Sequence, residues 1–79
     1  MAKISVLYFA TLREQKGLSS ETVEVTHGST VAALYRQLFP PGPSGPLPIA
    51  FAVNQVHVQN TTLLKDGDEV AFLPPLGGG

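Results

Sequence analysis

Residues 3–9, KISVLYF, are rich in β-branched and aromatic side chains and predict a strand. Alternation puts Ile4, Val6 and Tyr8 on one face and Ser5, Leu7 and Phe9 on the other. Both faces turn apolar toward the end of the run, as expected of a central strand. Thr11 is placed to cap one short helical turn over Leu12–Gln15, closed by Gly17. Residues 21–26, ETVEVT, alternate cleanly. Val23 and Val25 point inward, and Thr22, Glu24 and Thr26 point to water. This pattern predicts an edge strand hairpinned to the first.

His27-Gly28-Ser29 breaks that strand, and Thr30 is a good N-cap for a helix over residues 31–39. Val31, Leu34, Tyr35 and Leu38 recur at helical spacing and form one apolar stripe, with Arg36 and Gln37 off it. Pro40-Pro41 ends the helix. The stretch 40–48, PPGPSGPLP, holds five prolines and two glycines and predicts a stiff surface loop. Ile49–Val53 is a third strand, Asn54-Gln55 a turn, and Val56-His57-Val58 a short pairing segment. Lys65-Asp66-Gly67-Asp68 predicts a second turn with Gly67 at positive φ. Glu69–Leu73 is the last strand, with Val70 and Phe72 on one face and Ala71 and Leu73 on the other.

The order β-β-α-β-(β)-β predicts an α+β domain: a mixed four- to five-stranded sheet with one main helix on one face. By analogy with ubiquitin-like β-grasp folds, the last strand lies beside the first. Leu7, Phe9, Ala71 and Leu73 then share the face away from the helix, and His57 joins them by parity. An exposed apolar patch of this kind marks a partner site.

Composition narrows the function classes. The 79 residues suit one small domain, read as 1–79 with a flexible tail over 76–79. The net charge of −1 argues against a phosphate-tracking nucleic-acid binder. The absence of cysteine removes disulfides, thiolate metal sites and a thiol nucleophile. The apolar run near the N-terminus is too short for a signal-peptide core or a membrane span, so no membrane role and a cytoplasmic location are expected. His27 and His57 sit in different elements without metal-ligand spacing, and read as loop and surface histidines. Asp66, Asp68 and Glu69 read as turn acids rather than a calcium loop, because the ligand series of an EF-hand is missing. Arg13-Glu14 reads as a surface pair.

The informative segment is the ending, Phe72-Leu73-Pro74-Pro75-Leu76-Gly77-Gly78-Gly79. The prolines make the tail leave the body in a stiff, extended direction, and the glycines, without a Cβ, then make it slim and free enough to thread a narrow channel. Read as the true terminus, Gly79 carries an α-carboxylate. Such a group needs activation, for example as an acyl-adenylate made from ATP. A sulfur nucleophile then gives a thiocarboxylate, and an amine gives a conjugate to another protein. Neither outcome needs a catalytic side chain on this chain.

Three blocks resemble the MoaD/ThiS sulfur-carrier family, and its molybdopterin synthase small-subunit branch in particular. They are Val6-Leu7-Tyr8-Phe9-Ala10 with Leu12-Arg13-Glu14, then Ala52-Val53-Asn54-Gln55, then Leu64 through Pro75 (LKDGDEVAFLPP) with Gly78-Gly79. Pro74-Pro75 favours the molybdopterin branch over the thiazole branch. The resemblance implies a β-grasp fold, no bound cofactor, and ATP consumed by an activating partner. It implies an E1-like adenylating enzyme of the MoeB type and a large synthase subunit of the MoaE type, assembled as a heterotetramer of two small and two large subunits. The reactive group falls on Gly79, with Gly77 and Gly78 as threading residues. Phe9, His57, Leu73, Pro74, Pro75 and Leu76 fall on the docking surface. The active site is implied to lie mainly on the large subunit, the carrier itself being a non-catalytic sulfur donor. The other readings of the same tail are a ubiquitin-like protein modifier, a carrier for thiamin or tRNA thiolation, and a passive interaction module.

Overall fold

Residues 1–39 and 49–74 are described by the structure, a computed structural model. They form β1 (Ala2–Tyr8), α1 (Ala10–Lys16), β2 (Ser20–Val25), α2 (Val31–Leu38), β3 (Ala50–Val53), β4 (Val56–Val58) and β5 (Glu69–Leu73). The strands make one five-stranded sheet in the order β2-β1-β5-β3-β4. β1 and β5 run parallel, while β1–β2, β5–β3 and β3–β4 are antiparallel. The sheet is therefore mixed, with the last strand central and beside the first. The helix stop at Pro40-Pro41 and the proline-rich loop fall outside the described residues.

Alternation in β1 becomes alternation in burial: Ala2, Ile4, Val6 and Tyr8 are buried, and Val70 and Phe72 of β5 join them. α2 adds Val31 and Leu34, α1 adds Leu12, and Val25 and Leu64 close the cluster. Phe72 is the hub of an aromatic group, with ring centroids 5.3 Å from Tyr35, 5.8 Å from Phe51, 6.3 Å from Phe39 and 6.4 Å from Tyr8. Most of these contacts are edge-to-face, the arrangement that aligns the positive ring edge with a negative face.

α2 starts where expected. The Thr30 hydroxyl accepts from the Ala33 amide at 3.1 Å. The amides of Val31 and Ala32 donate to the carbonyls of Thr62 and Asn60 at 2.9 and 3.0 Å. The first-turn donors of this helix are thus used internally, which leaves none of these three to hold an anion.

α1 departs from expectation. It is a second helix of seven residues, not a single turn, and Thr11 lies inside it. Its N-cap is Phe9, whose carbonyl accepts from Leu12 at 3.1 Å without any side-chain cap. The cause is Ala10, which takes φ 50° and turns the chain out of the sheet. β1 therefore ends at Tyr8, one residue early. Gly17 closes α1 in the left-handed conformation, as its position predicts.

The β3–β4 turn is tight. Asn54 and Gln55 have φ of 52° and 70°, the positive pair of a type I′ hairpin. Asn suits the first position, but Gln lacks the freedom of the Gly usual at the second. Gln55→Gly should stabilise the protein by roughly 1 kcal/mol. The check is a higher urea midpoint with unchanged slope. A lower midpoint would show that the Gln55 side chain makes a contact worth more than the strain.

Tyr8 donates its hydroxyl to the Glu21 carboxylate of β2. Burial, and then this carboxylate, push the Tyr8 phenol well above its ordinary value, and burial pushes Tyr35 up as well. A folded-state value above the unfolded one means that the unfolded chain loses the proton first as pH rises. Stability should hold up to about pH 10 and fall beyond it. Tyrosinate absorbance recorded together with circular dichroism tests this. Ionisation of both phenols without loss of structure would contradict it.

Candidate partner face and tail root

The face of the sheet away from the core can be read row by row from the strand register. One row crosses all five strands as Ser20–Leu7–Ala71–Ala52–His57. Toward the tail, Leu73 stands opposite Ala50, and Phe9 follows at the end of β1. Toward the other end come Thr22, Ser5 and Glu69, then Glu24 opposite Lys3. The face is thus graded, charged at one end and apolar where β5 delivers the tail.

Exposure follows the grading. Phe9 is 42% exposed although it is large and apolar. His57 and Ala50 are exposed, Leu7, Ala71, Leu73 and Pro74 are half-buried, and Ala52 is buried. The structure brings Leu7, Ala71, Leu73 and His57 onto one face as the parity of the sequence predicts, and Phe9 borders it. Ala50 and Ala52 complete that face and escape notice in the sequence, because an alanine carries little signal. The only available sign was their alternation with Phe51 and Val53. These small side chains make the middle of the face flat. The predicted site residues Pro75, Leu76, Gly77, Gly78 and Gly79 lie outside the described residues.

The opposite end of β5 is fixed by a side-chain clasp that sequence reasoning did not foresee in full. Asn54 Nδ2 donates to Asp68 Oδ1 at 3.0 Å, and Asn54 Oδ1 accepts from the Glu69 amide at 3.0 Å. Asp68 Oδ2 accepts from the Lys65 amide at 2.8 Å, and Asp66 Oδ1 from the Lys3 amide at 2.7 Å. Asp68 folds back on a backbone amide of its own turn, as the turn reading requires, while Asp66 reaches the amide of Lys3 on β1. Gly67 sits at φ 90°, and its amide donates to the Lys3 carbonyl at 2.8 Å.

Chemistry on the folded body is sparse. Among the described residues no three of His, Cys, Asp and Glu are placed to hold a metal ion. A shallow groove at the end of β3 and β4 is lined by Ile49, Ala50, Phe51, Val58, Gln59 and Asn60, with no charged or nucleophilic side chain. What the arrangement offers is an apolar face beside the root of a glycine-ended tail.

Residues 6–79 match the family model described as the ThiS family. The chain belongs to the ThiS family. This ThiS-family chain is 43% identical over 82 residues to the molybdopterin synthase sulfur carrier subunit of Chlamydomonas reinhardtii, across 98% of its own length and 99% of that protein. It is 41% identical over 83 residues to the protein of the same name from Mycobacterium tuberculosis, across the full length of both. Its fold, α+β and ubiquitin-like β-grasp, superposes on the crystal structure of the Haloferax volcanii small archaeal modifier protein 1. The TM-score is 0.82 at 25% identity, covering 96% of this chain and all of that one.

Proposed function

We propose that this chain is the sulfur carrier and small subunit of a molybdopterin synthase, working as a single β-grasp domain over residues 1–79 in the cytoplasm. Full-length identity of 43% and 41% to proteins of that name carries the reading. No described helix is long and apolar enough to cross a membrane.

In the proposed cycle an E1-like enzyme of the MoeB type activates the Gly79 carboxylate with ATP. The acyl-adenylate forms and pyrophosphate leaves. A sulfur nucleophile attacks the acyl carbon and AMP leaves, giving a terminal thiocarboxylate. The loaded tail enters the large subunit of the MoaE type and donates sulfur to cyclic pyranopterin monophosphate, and water cleaves the acyl–sulfur bond to return the Gly79 carboxylate. Gly77 and Gly78 provide the slim approach, and Gly79 the unhindered acyl carbon. Phe9, His57 and Leu73 belong to the proposed docking surface, and Pro74, Pro75 and Leu76 are its proposed contacts next in sequence to the glycines. The complex is proposed to hold two small and two large subunits. The chain itself binds no cofactor in this scheme, and takes part in no contact with nucleic acid or membrane.

The test is the mass of the intact chain and of its C-terminal peptide after incubation with ATP, an E1-like enzyme and sulfide. Exchange of one oxygen for sulfur within the peptide holding Gly79 is expected. No exchange, with an enzyme active on a related carrier, would overturn the reading.

The likeness to an archaeal modifier protein favours a second reading, conjugation of Gly79 to lysines of other proteins. Recovery of the chain in isopeptide linkage would favour it over the carrier. Leu73→Glu separates the docking step from the chemistry. Leu73 points outward from the sheet and is half-buried, so a charge there must be desolvated on docking. Large-subunit binding should be lost while the circular dichroism spectrum stays native. Unchanged affinity would place the docking surface elsewhere.

A further inference from the structure

The two edges of the sheet differ in how they meet the outside. β2, at one edge, carries Glu21 and Glu24, and charged side chains of this kind keep a strand edge from pairing with another chain. β4, at the other edge, is Val56-His57-Val58, flanked by Asn54-Gln55 and Gln59-Asn60, and this stretch holds no lysine, arginine, acid or proline. Among the described residues no strand lies beyond β4. Val56 is 62% exposed although it is large and apolar, and His57 is exposed beside it.

The main chain of β4 is turned for pairing. The Asn54 amide donates to the Glu69 carbonyl of β5 at 2.8 Å. Alternation along β3 then points the main-chain groups of Ala50 and Ala52 toward β5, and those of Phe51 and Val53 toward Val58 and Val56 of β4. His57, opposite Ala52, is left with its amide and carbonyl pointing out of the sheet. The sequence around it is a palindrome, Asn54-Gln55-Val56-His57-Val58-Gln59-Asn60. An antiparallel copy laid across a two-fold axis at His57 therefore meets like with like. The two His57 residues exchange a pair of backbone hydrogen bonds, and each Val56 stands opposite the other copy's Val58, a β-branched cross-strand pair. Gln55 faces Gln59, and each amide has a donor and an acceptor to offer the other.

We propose that β4 pairs with β4 of a second copy of this chain, joining two five-stranded sheets into one across an isologous two-fold interface. The proposal goes beyond the carrier reading and does not depend on it. The two β5 strands then lie five strand spacings apart, about 24 Å, and run in opposite directions, so neither Leu73 nor Pro74 is covered. With three paired residues per copy the interface stays below about 1,200 Å², the range of weak and reversible complexes. A dissociation constant on the order of 0.1–1 mM is expected.

The experiment is sedimentation equilibrium of the full chain up to about 2 mM, a concentration above that constant, with amide NMR spectra over the same series. The average mass should climb toward twice that of the monomer, and concentration-dependent amide shifts should be confined to residues 54–60. Val56→Lys sets an ammonium against Val58 at both ends of the pairing and should stay monomeric with a native circular dichroism spectrum. Glu24→Lys, on the opposite edge, should associate as the wild type does. A wild-type monomer at every concentration would overturn the proposal. So would association that survives Val56→Lys, association lost equally in Glu24→Lys, or shifts centred away from β4.

Discussion

Removal of Gly78 and Gly79 should abolish sulfur transfer completely and leave the fold untouched. The buried cluster of the described residues runs from Ala2 to Phe72, and glycine has no side chain to add to such a core. β5 ends at Leu73, before the tail begins. The proposed chemistry takes place at the acyl carbon of Gly79, and the chain has no cysteine thiol to carry sulfur in its place. Truncation would move the terminal carboxylate to Gly77, two residues closer to the body. In extended chain that shortens the reach by roughly 7 Å, against a transfer that tolerates far smaller misplacements of reacting atoms. The expected readouts are an unchanged melting curve, unchanged binding of the large subunit within a few-fold, and no thiocarboxylate-dependent product. Full activity in the truncated chain would leave only a passive interaction module.

Phe72→Ala should produce the complementary failure, loss of the fold and of function through it. Phe72 is fully buried and packs against Tyr8, Tyr35, Phe39 and Phe51 at once. Removing the ring takes away contacts that join β1, α2, its C-cap and β3. A buried Phe→Ala change costs about 3–5 kcal/mol. A domain of this size has a total stability on the order of 4–12 kcal/mol, so the variant keeps at best a marginal fold. The measurement is urea unfolding followed by circular dichroism. A loss under about 1 kcal/mol would show that the aromatic group relaxes around the gap. Leu73→Glu, one residue along the same strand, should keep the fold because its side chain stands on the other face.

That contrast between neighbours was legible in the sequence, since strand parity assigns Phe72 inward and Leu73 outward before any coordinate is known. Thr30 as a cap, Gly17 as a helix stop and Asn54-Gln55 as a turn were equally legible, because each rests on local backbone chemistry. α1 was only half legible. Its start depends on Ala10 taking a left-handed conformation that nothing in an alanine announces. The outer face was read from Leu7, Phe9, Ala71, Leu73 and His57, and missed Ala50 and Ala52. Asn54 was read as a turn former, while its bonds to Asp68 and Glu69 join residues fourteen and fifteen apart in the chain. Such a clasp has no local signature. The glycine tail is legible in the sequence alone, as chemistry and as resemblance.

The central place of β5, between β1 and β3, also bears on how the molecule responds when its tail is pulled. A force applied at Pro74 along the strand axis acts parallel to β5. The hydrogen bonds to both neighbours then carry the load together, in shear, and cannot open one at a time as at a peeling edge. Asn54, Asp68 and Lys65 anchor the far end of the strand against slippage. A pull on the chain beyond Pro74 is thus resisted by two strand pairings at once, and the body keeps its fold under loads that would peel an edge strand away.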